Sequence, residues 1–354
     1  MTRSEIIKFL SMFDLTIKRI ETLLNLLDGE YSFDKLKSLN LSEIVGDKNA
    51  ESIKEFANDE IYNRYMESLE SQGVVLITRE DEEFPNKLLN IDDAPYYLFC
   101  KGDLSLLNKT SIAIVGSRSP SNYGRVITER FAEELAKAGV VIVSGLAYGV
   151  DGISHRKTLD VGGKTIAVLG SGFNNIYPAT HTNMAEEIAQ KGLLLSEYRP
   201  KVKATRFTFP KRNRLVAGLS EGVLITEAGA KSGTLITKDF AIDNGITVYA
   251  VPGNITSDKS EGTNEIIASM QAICTLSSKD ILKDLGIEST AKKKSLQLSL
   301  EEAKIVELLS SGEKDIEFLT ENVDFDIKKL NSLLTTLEIK SIIKRMPGGN
   351  YTLG

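Results

Sequence analysis

Between Tyr198 and Arg214 the chain carries seven basic residues and no acidic one. Arg199, Lys201, Lys203, Arg206, Lys211, Arg212 and Arg214 supply the cations, with Tyr198, Phe207 and Phe209 interleaved and Asn213 near the end. Cations along a segment can track a phosphate backbone, and aromatic faces accept unstacked bases of any sequence, at about 1–3 kcal/mol per base. A basic surface loop with its phenylalanines in the core would have the same composition. Position favours ligand contact. The run ends at a helix predicted to start near Arg212, at the ligand edge of a sheet.

That sheet is legible in the surrounding apolar runs. Ser111–Val115 leads into Gly116-Ser117-Arg118, and 140–144 leads into Gly145-Leu-Ala-Tyr-Gly149-Val-Asp151. Thr165–Leu169 leads into Gly170-Ser-Gly172, and 222–226 leads into Glu227-Ala-Gly229-Ala-Lys231-Ser232-Gly233-Thr234. Helical patterns over 123–138, 150–160, 182–190, 214–220, 231–243 and 263–271 alternate with these strands. Such alternation implies a mainly parallel, doubly wound α/β sheet covered on both faces. In such sheets ligands sit beyond the carboxyl ends of the strands, where turns meet helix N-termini. Glycine permits close backbone approach, and free N–H groups at a helix start attract phosphate. The turns therefore call for a phosphate-bearing ligand.

Other polar residues near these turns have less distinctive chemistry. Arg118 can fork onto a phosphate or a base edge, or form a salt bridge with a neighbouring carboxylate. Asp151 and His155 lie four apart without a third catalytic partner, so Asp151 reads as a first-turn carboxylate bonded to local N–H groups or to the His155 ring. Glu227 suits a hydrolase nucleophile or ribose ligand, or a cap on the Gly229 or Ser232 amides. Ser232-Gly233-Thr234 is an anion cradle, but no Gly-Lys-Ser/Thr phosphate loop supports ATP hydrolysis. The chain's two histidines give no basis for a metal site. No cofactor is expected.

The 354 residues suit two or three domains. Hydrophobic content of 42% and charged content of 26% are ordinary for a soluble globular protein, and the net charge of −6 excludes a uniformly basic coat but not a local stripe. No apolar stretch reaches membrane-spanning length, and the N-terminus lacks a signal-peptide core. Cys100 and Cys274 are expected as buried apolar residues in a reducing cytoplasm.

Residues 1–72 read as a small helical domain. Leu41-Ser-Glu-Ile-Val-Gly46 is either a helix-hairpin-helix turn or plain packing. The core spans 73–288, with further strands at 73–78 and 96–99. A polar linker over 289–298 carries Lys292-Lys-Lys294. Helices over 300–309, 314–320 and 326–337, then a hairpin turning at Gly348-Gly349, give 299–354 a winged-helix plan that contacts either nucleic acid or protein.

Taken in order, the motifs resemble the DNA-processing protein A family (DprA, also called Smf). The pieces are Ile112-Ala-Ile-Val-Gly-Ser-Arg118, Ser144-Gly-Leu-Ala-Tyr-Gly-Val-Asp-Gly-Ile-Ser-His155, Ala167-Val-Leu-Gly-Ser-Gly172, Tyr177-Pro178, Ser196-Glu197, Phe209-Pro-Lys-Arg-Asn-Arg214, Ile225-Thr-Glu-Ala-Gly229, Ser232-Gly-Thr234 and Val251-Pro-Gly253. The resemblance implies a non-catalytic single-stranded DNA binder on an extended Rossmann-like fold, dimeric through that domain. It also implies protection of incoming DNA in natural transformation and help in loading the recombinase RecA. It assigns nucleic-acid contact to Gly116, Ser117, Arg118, Phe209, Lys211, Arg212, Asn213 and Arg214; the basic run and glycine turns add Gly149, Lys201, Phe207, Ser232, Gly233 and Thr234. The competing reading is a nucleotide enzyme of the lysine-decarboxylase-like type, a nucleotide-sugar bond hydrolase. For the dimer face the sequence offers the helix over 262–271, with Ile266, Ile267 and Met270, and the strand over 272–275.

Overall fold

A computed structural model describes residues 1–287, 298–310, 312–339, 342–346 and 349–353. It divides into two compact units, Met1–Ser289 and Thr290–Gly354.

The first unit is built on one nine-stranded sheet. Its strands in chain order are β1 (Val75–Thr78), β2 (Tyr97–Gly102), β3 (Ser111–Val115), β4 (Val141–Ser144), β5 (Thr165–Leu169), β6 (Leu193–Ser196), β7 (Gly222–Ile225), β8 (Thr247–Ala250) and β9 (Ile273–Cys274). Their spatial order is β1-β2-β6-β5-β4-β3-β7-β8-β9. β3 to β9 run parallel; β1 and β2 are added antiparallel at one edge. The central strands are buried on both faces, as their continuous Ile, Val, Leu and Ala runs require. Chain order reverses at the β3–β7 pair, so the crevice beyond Val115 and Ile225 is the topological switch point.

Two strands, β6 and β8, lie where the sequence pattern gave none. Both are four residues long, and β6 begins directly after Gly192. The helix expected from Arg214 starts six residues earlier, at Thr208, and runs to Gly218. Pro210 occupies its first turn, where a missing N–H costs no helical hydrogen bond. The last seven residues of the basic aromatic run, 208–214, are therefore helix. Cys100 is buried as expected, but Cys274 on edge strand β9 is exposed.

Six helices precede β1, between Arg3 and Glu70. Thr2 and Glu5 form a reciprocal capping box on the first, and Ser32 and Asn58 cap later ones. Ile6, Ile7, Leu10, Leu23, Leu27 and Leu36 close their own core. These helices are tied to the sheet region: Lys8 pairs with Asp81 at 3.2 Å, Ser4 Oγ donates to Asp81, and Arg199 donates to Met12 O. The 41–46 segment is a short helix, Leu41–Val45, ended by Gly46 at φ +81°; Leu41 and Val45 are buried in that core.

The second unit contains helices Leu300–Leu309, Ile316–Glu321 and Ile327–Ile339, then the antiparallel strands β10 (Ile343–Arg345) and β11 (Tyr351–Leu353). Ile305, Leu319, Leu330, Leu334 and Tyr351 form its core. The predicted linker from Ser289 to Gln297 and the turn residue Gly348 lie outside the described residues.

Candidate functional site

A cavity of about 640 Å³ opens at the switch point. Its walls come from the turn after β3 (Gly116, Arg118), the turn after β4 (Ala147, Asp151), Tyr177, the Ala204–Arg206 approach, the helix Thr208–Gly218 and the segment 232–234. Helical spacing sorts the basic run. Phe209, Arg212 and Asn213 face this cavity, while Lys211 and Arg214 face another of about 660 Å³ behind the helix.

Arg118 is exposed, and its guanidinium lies 5.8 Å from the Phe209 ring centroid. Among the described residues it makes no salt bridge, so the ion-pair reading of Arg118 has no partner here. Its turn is firmly anchored. Ser117 N donates to Glu227 O at 2.8 Å, Ser119 N donates to Ser117 Oγ at 3.2 Å, and Thr234 Oγ1 donates to Gly116 O at 2.9 Å. Gly149, at φ +73°, backs directly onto the Ser117–Arg118 backbone, where a side chain would strike the Ser117 carbonyl. Gly149 thus shapes the Arg118 turn without lining this cavity.

Arg212 differs from Arg118. It is only 4% exposed, and its guanidinium donates to Gly145 O and Val168 O. Asp151 Oδ2 accepts from Gly145 N at 3.1 Å and Ala147 N at 3.4 Å. Burial raises the Asp151 carboxyl against the pull of Arg212, and burial lowers the Arg212 guanidinium. Asp151 therefore bonds local N–H groups, as expected, but not the His155 ring. His155 is fully buried, with Nδ1 2.7 Å from Thr165 Oγ1.

Glu227 turns away from the cavity. Its carboxylate accepts from Ser121 N at 2.7 Å and from Ser121 Oγ, anchoring the start of helix Asn122–Lys137. The expected caps on Gly229 or Ser232 are not formed. In the Ser232-Gly233-Thr234 cradle, Ser232 N bonds Gly229 O at 3.0 Å and Thr234 N bonds Ser232 Oγ at 3.3 Å, so those amides are engaged within the turn.

The other candidates scatter. Arg214 pairs with half-buried Glu197, whose carboxyl is raised by desolvation against the opposing pull of that arginine. Lys211 is exposed beside the rear cavity, whose lining also includes Asp14, Asp92 and Asp93. Lys201 is exposed, and its carbonyl accepts from Asn175 at 3.0 Å. Phe207 is 65% exposed, with the Arg206 guanidinium 4.7 Å from its ring centroid. Tyr177, which the sequence marks only as part of the Tyr177-Pro178 motif, has its ring 5.3 Å from Phe209 in the cavity wall. The site thus offers an unpaired guanidinium on an aromatic face, a second cation at Arg206 and a wall pinned by buried charge. Among the described residues that line it, no nucleophile and base are hydrogen-bonded to each other.

Comparison with known proteins bears on this arrangement. The family model for DNA recombination-mediator protein A matches residues 75–286. The DNA processing protein DprA of Bacillus subtilis is 39% identical over 223 residues, 63% of this chain and 75% of that protein. The X-ray structure of DNA processing protein A from Streptococcus pneumoniae superposes with a TM-score of 0.67 at 34% identity, covering 80% of this chain and 99% of that one. DNA processing protein A from Helicobacter pylori, whose structure describes a single-stranded DNA binding mode, gives 0.55 at 34% identity over 60% of this chain and 95% of that one.

Proposed function

Because the chain belongs to the DNA recombination-mediator protein A family, we propose that it binds single-stranded DNA in the Arg118–Phe209 cavity. In this reading it is a non-catalytic recombination mediator that protects incoming strands in natural transformation and helps load RecA. The observation that carries it is the unpaired Arg118 guanidinium beside Phe209 at the sheet's switch point, with Tyr177 and Arg206 in the same wall. Cations beside open aromatic faces are what a strand with unstacked bases needs. The Helicobacter relative, described with single-stranded DNA, supports the same ligand class.

The hydrolase reading rests on Glu227 as the carboxylate after a strand. That carboxylate is occupied by Ser121 and does not line the cavity. We therefore keep the binding reading, with no cofactor. Among the described residues no helix is long and apolar enough to cross a membrane, and we place the protein in the cytoplasm.

For the chain as a whole we propose a helical domain over 1–72, a DNA-binding core over 73–288, a linker over 289–298 and a winged-helix-like domain over 299–354. The core carries the homodimer contact. Anisotropy titrations with a thymidylate strand of about 20 nucleotides, longer than one typical single-strand site, test the reading over a range of salt. Tight binding is expected to the strand, with no binding of nucleoside monophosphates and no release of their bases. Base release from monophosphates, or a strand affinity no better than theirs, would reverse the choice.

A further inference from the structure

The Phe209 ring begins a chain of aromatic side chains leading out of the cavity. Phe209 and Tyr177 have centroids 5.3 Å apart, Tyr177 and Tyr148 6.5 Å, and Tyr148 and His181 5.6 Å. These four rings come from separate segments. Phe209 opens a helix, Tyr177 follows the turn after β5, Tyr148 sits on the turn after β4, and His181 immediately precedes the helix Thr182–Lys191.

Tyr148 and Tyr177 are 45% and 50% exposed, and neither hydroxyl has a hydrogen-bond partner among the described residues. Burial and hydrogen bonding therefore do not account for tyrosine at these positions. His181 is held in place: its Nδ1 donates to Leu146 O at 2.9 Å, and the ring packs on Gly152, where a Cβ would come within 2.7 Å of Cε1.

Beyond His181 lies a further cavity of about 430 Å³. Its cations are Arg125, Arg156 and Lys157. Arg156 is engaged by Asp160 and Glu187, and Lys157 by Glu133. Arg125 is exposed and makes no salt bridge among the described residues. Glu129 and the already paired Asp160 are the carboxylates in this lining. The way out behind the helix instead sets Lys18 and Lys211, with Arg214 already paired to Glu197, against Asp14, Asp92, Asp93 and Asp243, so its lining is net acidic and less favourable to a phosphate backbone.

We propose that Tyr177, Tyr148 and His181 form a base-stacking track that carries a bound single strand from the Phe209 cavity to Arg125. The proposal rests on the single-strand reading above. The ring spacings exceed the roughly 3.4 Å per nucleotide of a stacked strand. An unstacked, extended strand is therefore the conformer that can place one base against each exposed ring. Its phosphates run between Arg118 at one end and Arg125 at the other. Because every base has a π-face, the track is indifferent to sequence.

The test compares a labelled 20-nucleotide thymidylate strand with an abasic strand of equal length, on the full-length protein. For thymidylate, Tyr148→Ala and Tyr177→Ala are expected to bind about 5- to 150-fold more weakly than wild type, the fold-change equivalent to about 1–3 kcal/mol per stacked base. Tyr→Phe at either position should retain wild-type affinity. Tyr→Leu, which keeps apolar bulk without a π-face, should behave like Tyr→Ala and guards against an alanine variant that fails to fold. The abasic strand should bind wild type and variants alike. Arg125→Ala should flatten the log–log salt dependence by about 0.7, the single-strand term for one phosphate.

Equal thymidylate affinity in wild type and both alanine variants would overturn the track. Parallel losses for thymidylate and abasic strands would also do so, because no base would then be involved. If Tyr148→Ala turns a dimer into a monomer with thymidylate affinity unchanged, these rings are an interface between copies instead. Failure of wild type itself to bind thymidylate would remove the single-strand reading along with the track.

Discussion

Asp151 and Arg212 grip Gly145 from opposite sides: its N–H donates to Asp151 Oδ2 at 3.1 Å, and its carbonyl accepts from the Arg212 guanidinium. The turn after β4, which carries Tyr148, is thus fixed to the helix that carries Phe209. Two buried polar side chains that share one glycine between them position the cavity wall without needing to touch a ligand.

Arg212→Ala should therefore act first on stability. It leaves the Gly145 and Val168 carbonyls without their donor and Asp151 without its nearby cation. Leaving a buried polar group without its partner costs about 1–3 kcal/mol for each group stranded. A urea titration should show the midpoint falling at unchanged slope. A fully stable Arg212→Ala protein with weakened strand binding would instead make this arginine a direct ligand.

Arg118→Ala should show the opposite profile. Arg118 is exposed and makes no salt bridge among the described residues, so its loss should leave thermal stability within the usual surface range of about 0.5 kcal/mol. Strand affinity should drop, and the log–log salt slope should flatten by about 0.7 for one lost phosphate contact. Anisotropy at four or five salt concentrations measures both. An unchanged slope with unchanged affinity would move the phosphate site elsewhere.

The contrast between these arginines also marks how far the sequence could be read. Strand runs such as Ile112–Val115 and the glycine turns after them declare a doubly wound sheet, because continuous apolar strands followed by turns have few other uses. Arg118 directly follows a strand, and its neighbours fix its place. Arg212 looks identical in type, but its fate depends on helical phase. The pattern starts the helix at Arg214, whereas it begins at Thr208 with Pro210 in its first turn, so Arg212 points inward and Lys211 and Arg214 point to the far face. Tyr148 and Tyr177 were visible as letters in motifs. Their proximity requires two turns and a helix to converge, which one-dimensional spacing cannot express. β6, as Leu-Leu-Leu-Ser, was too short for periodicity to separate from a helix end.

Acid should weaken the fold through His155. The Thr165 hydroxyl spends its proton on Ile142 O at 2.6 Å, so His155 Nδ1 must carry the hydrogen toward Thr165. Burial lowers the His155 pKa to about 3, against about 6.5 in an unfolded chain. Between those values the unfolded chain holds a proton that the folded chain refuses. Stability from this group is intact above about pH 6.5 and falls by up to about 1.4 kcal/mol per pH unit toward pH 3. The raised carboxyls of Asp151 and Glu197 act in the opposite sense, taking up protons in the folded state first. Comparison with His155→Gln isolates the histidine. The variant's deficit at pH 7 should shrink as pH drops to 4, and a constant deficit would show that another group titrates.

The core should dimerise through the β9 edge, and dimerisation should tighten strand binding. Of the side chains expected at that face, Ile266 is buried in the sheet's own core, while Ile267 packs against that core but is only half-buried and lines the groove beside β9. Met270 is 94% exposed, however, and Ile273, Leu276 and Ile242 also expose much of their surface. Met270, Ile273 and Ile242 line an apolar groove of about 530 Å³ beside β9. Grouped exposed apolar side chains of this kind mark an interaction surface. The two-residue strand β9 leaves a sheet edge that a second copy can cover. Two cavities joined rigidly would engage one strand at an effective concentration near millimolar, raising apparent affinity by about 10² to 10⁴. Sedimentation at micromolar concentration should give a dimer for wild type and a monomer for Met270→Glu/Ile273→Glu. The monomer should hold a 20-nucleotide strand more weakly while keeping its affinity for a strand too short to reach two cavities. Equal affinity of monomer and dimer for the long strand would show that pairing of cavities contributes nothing.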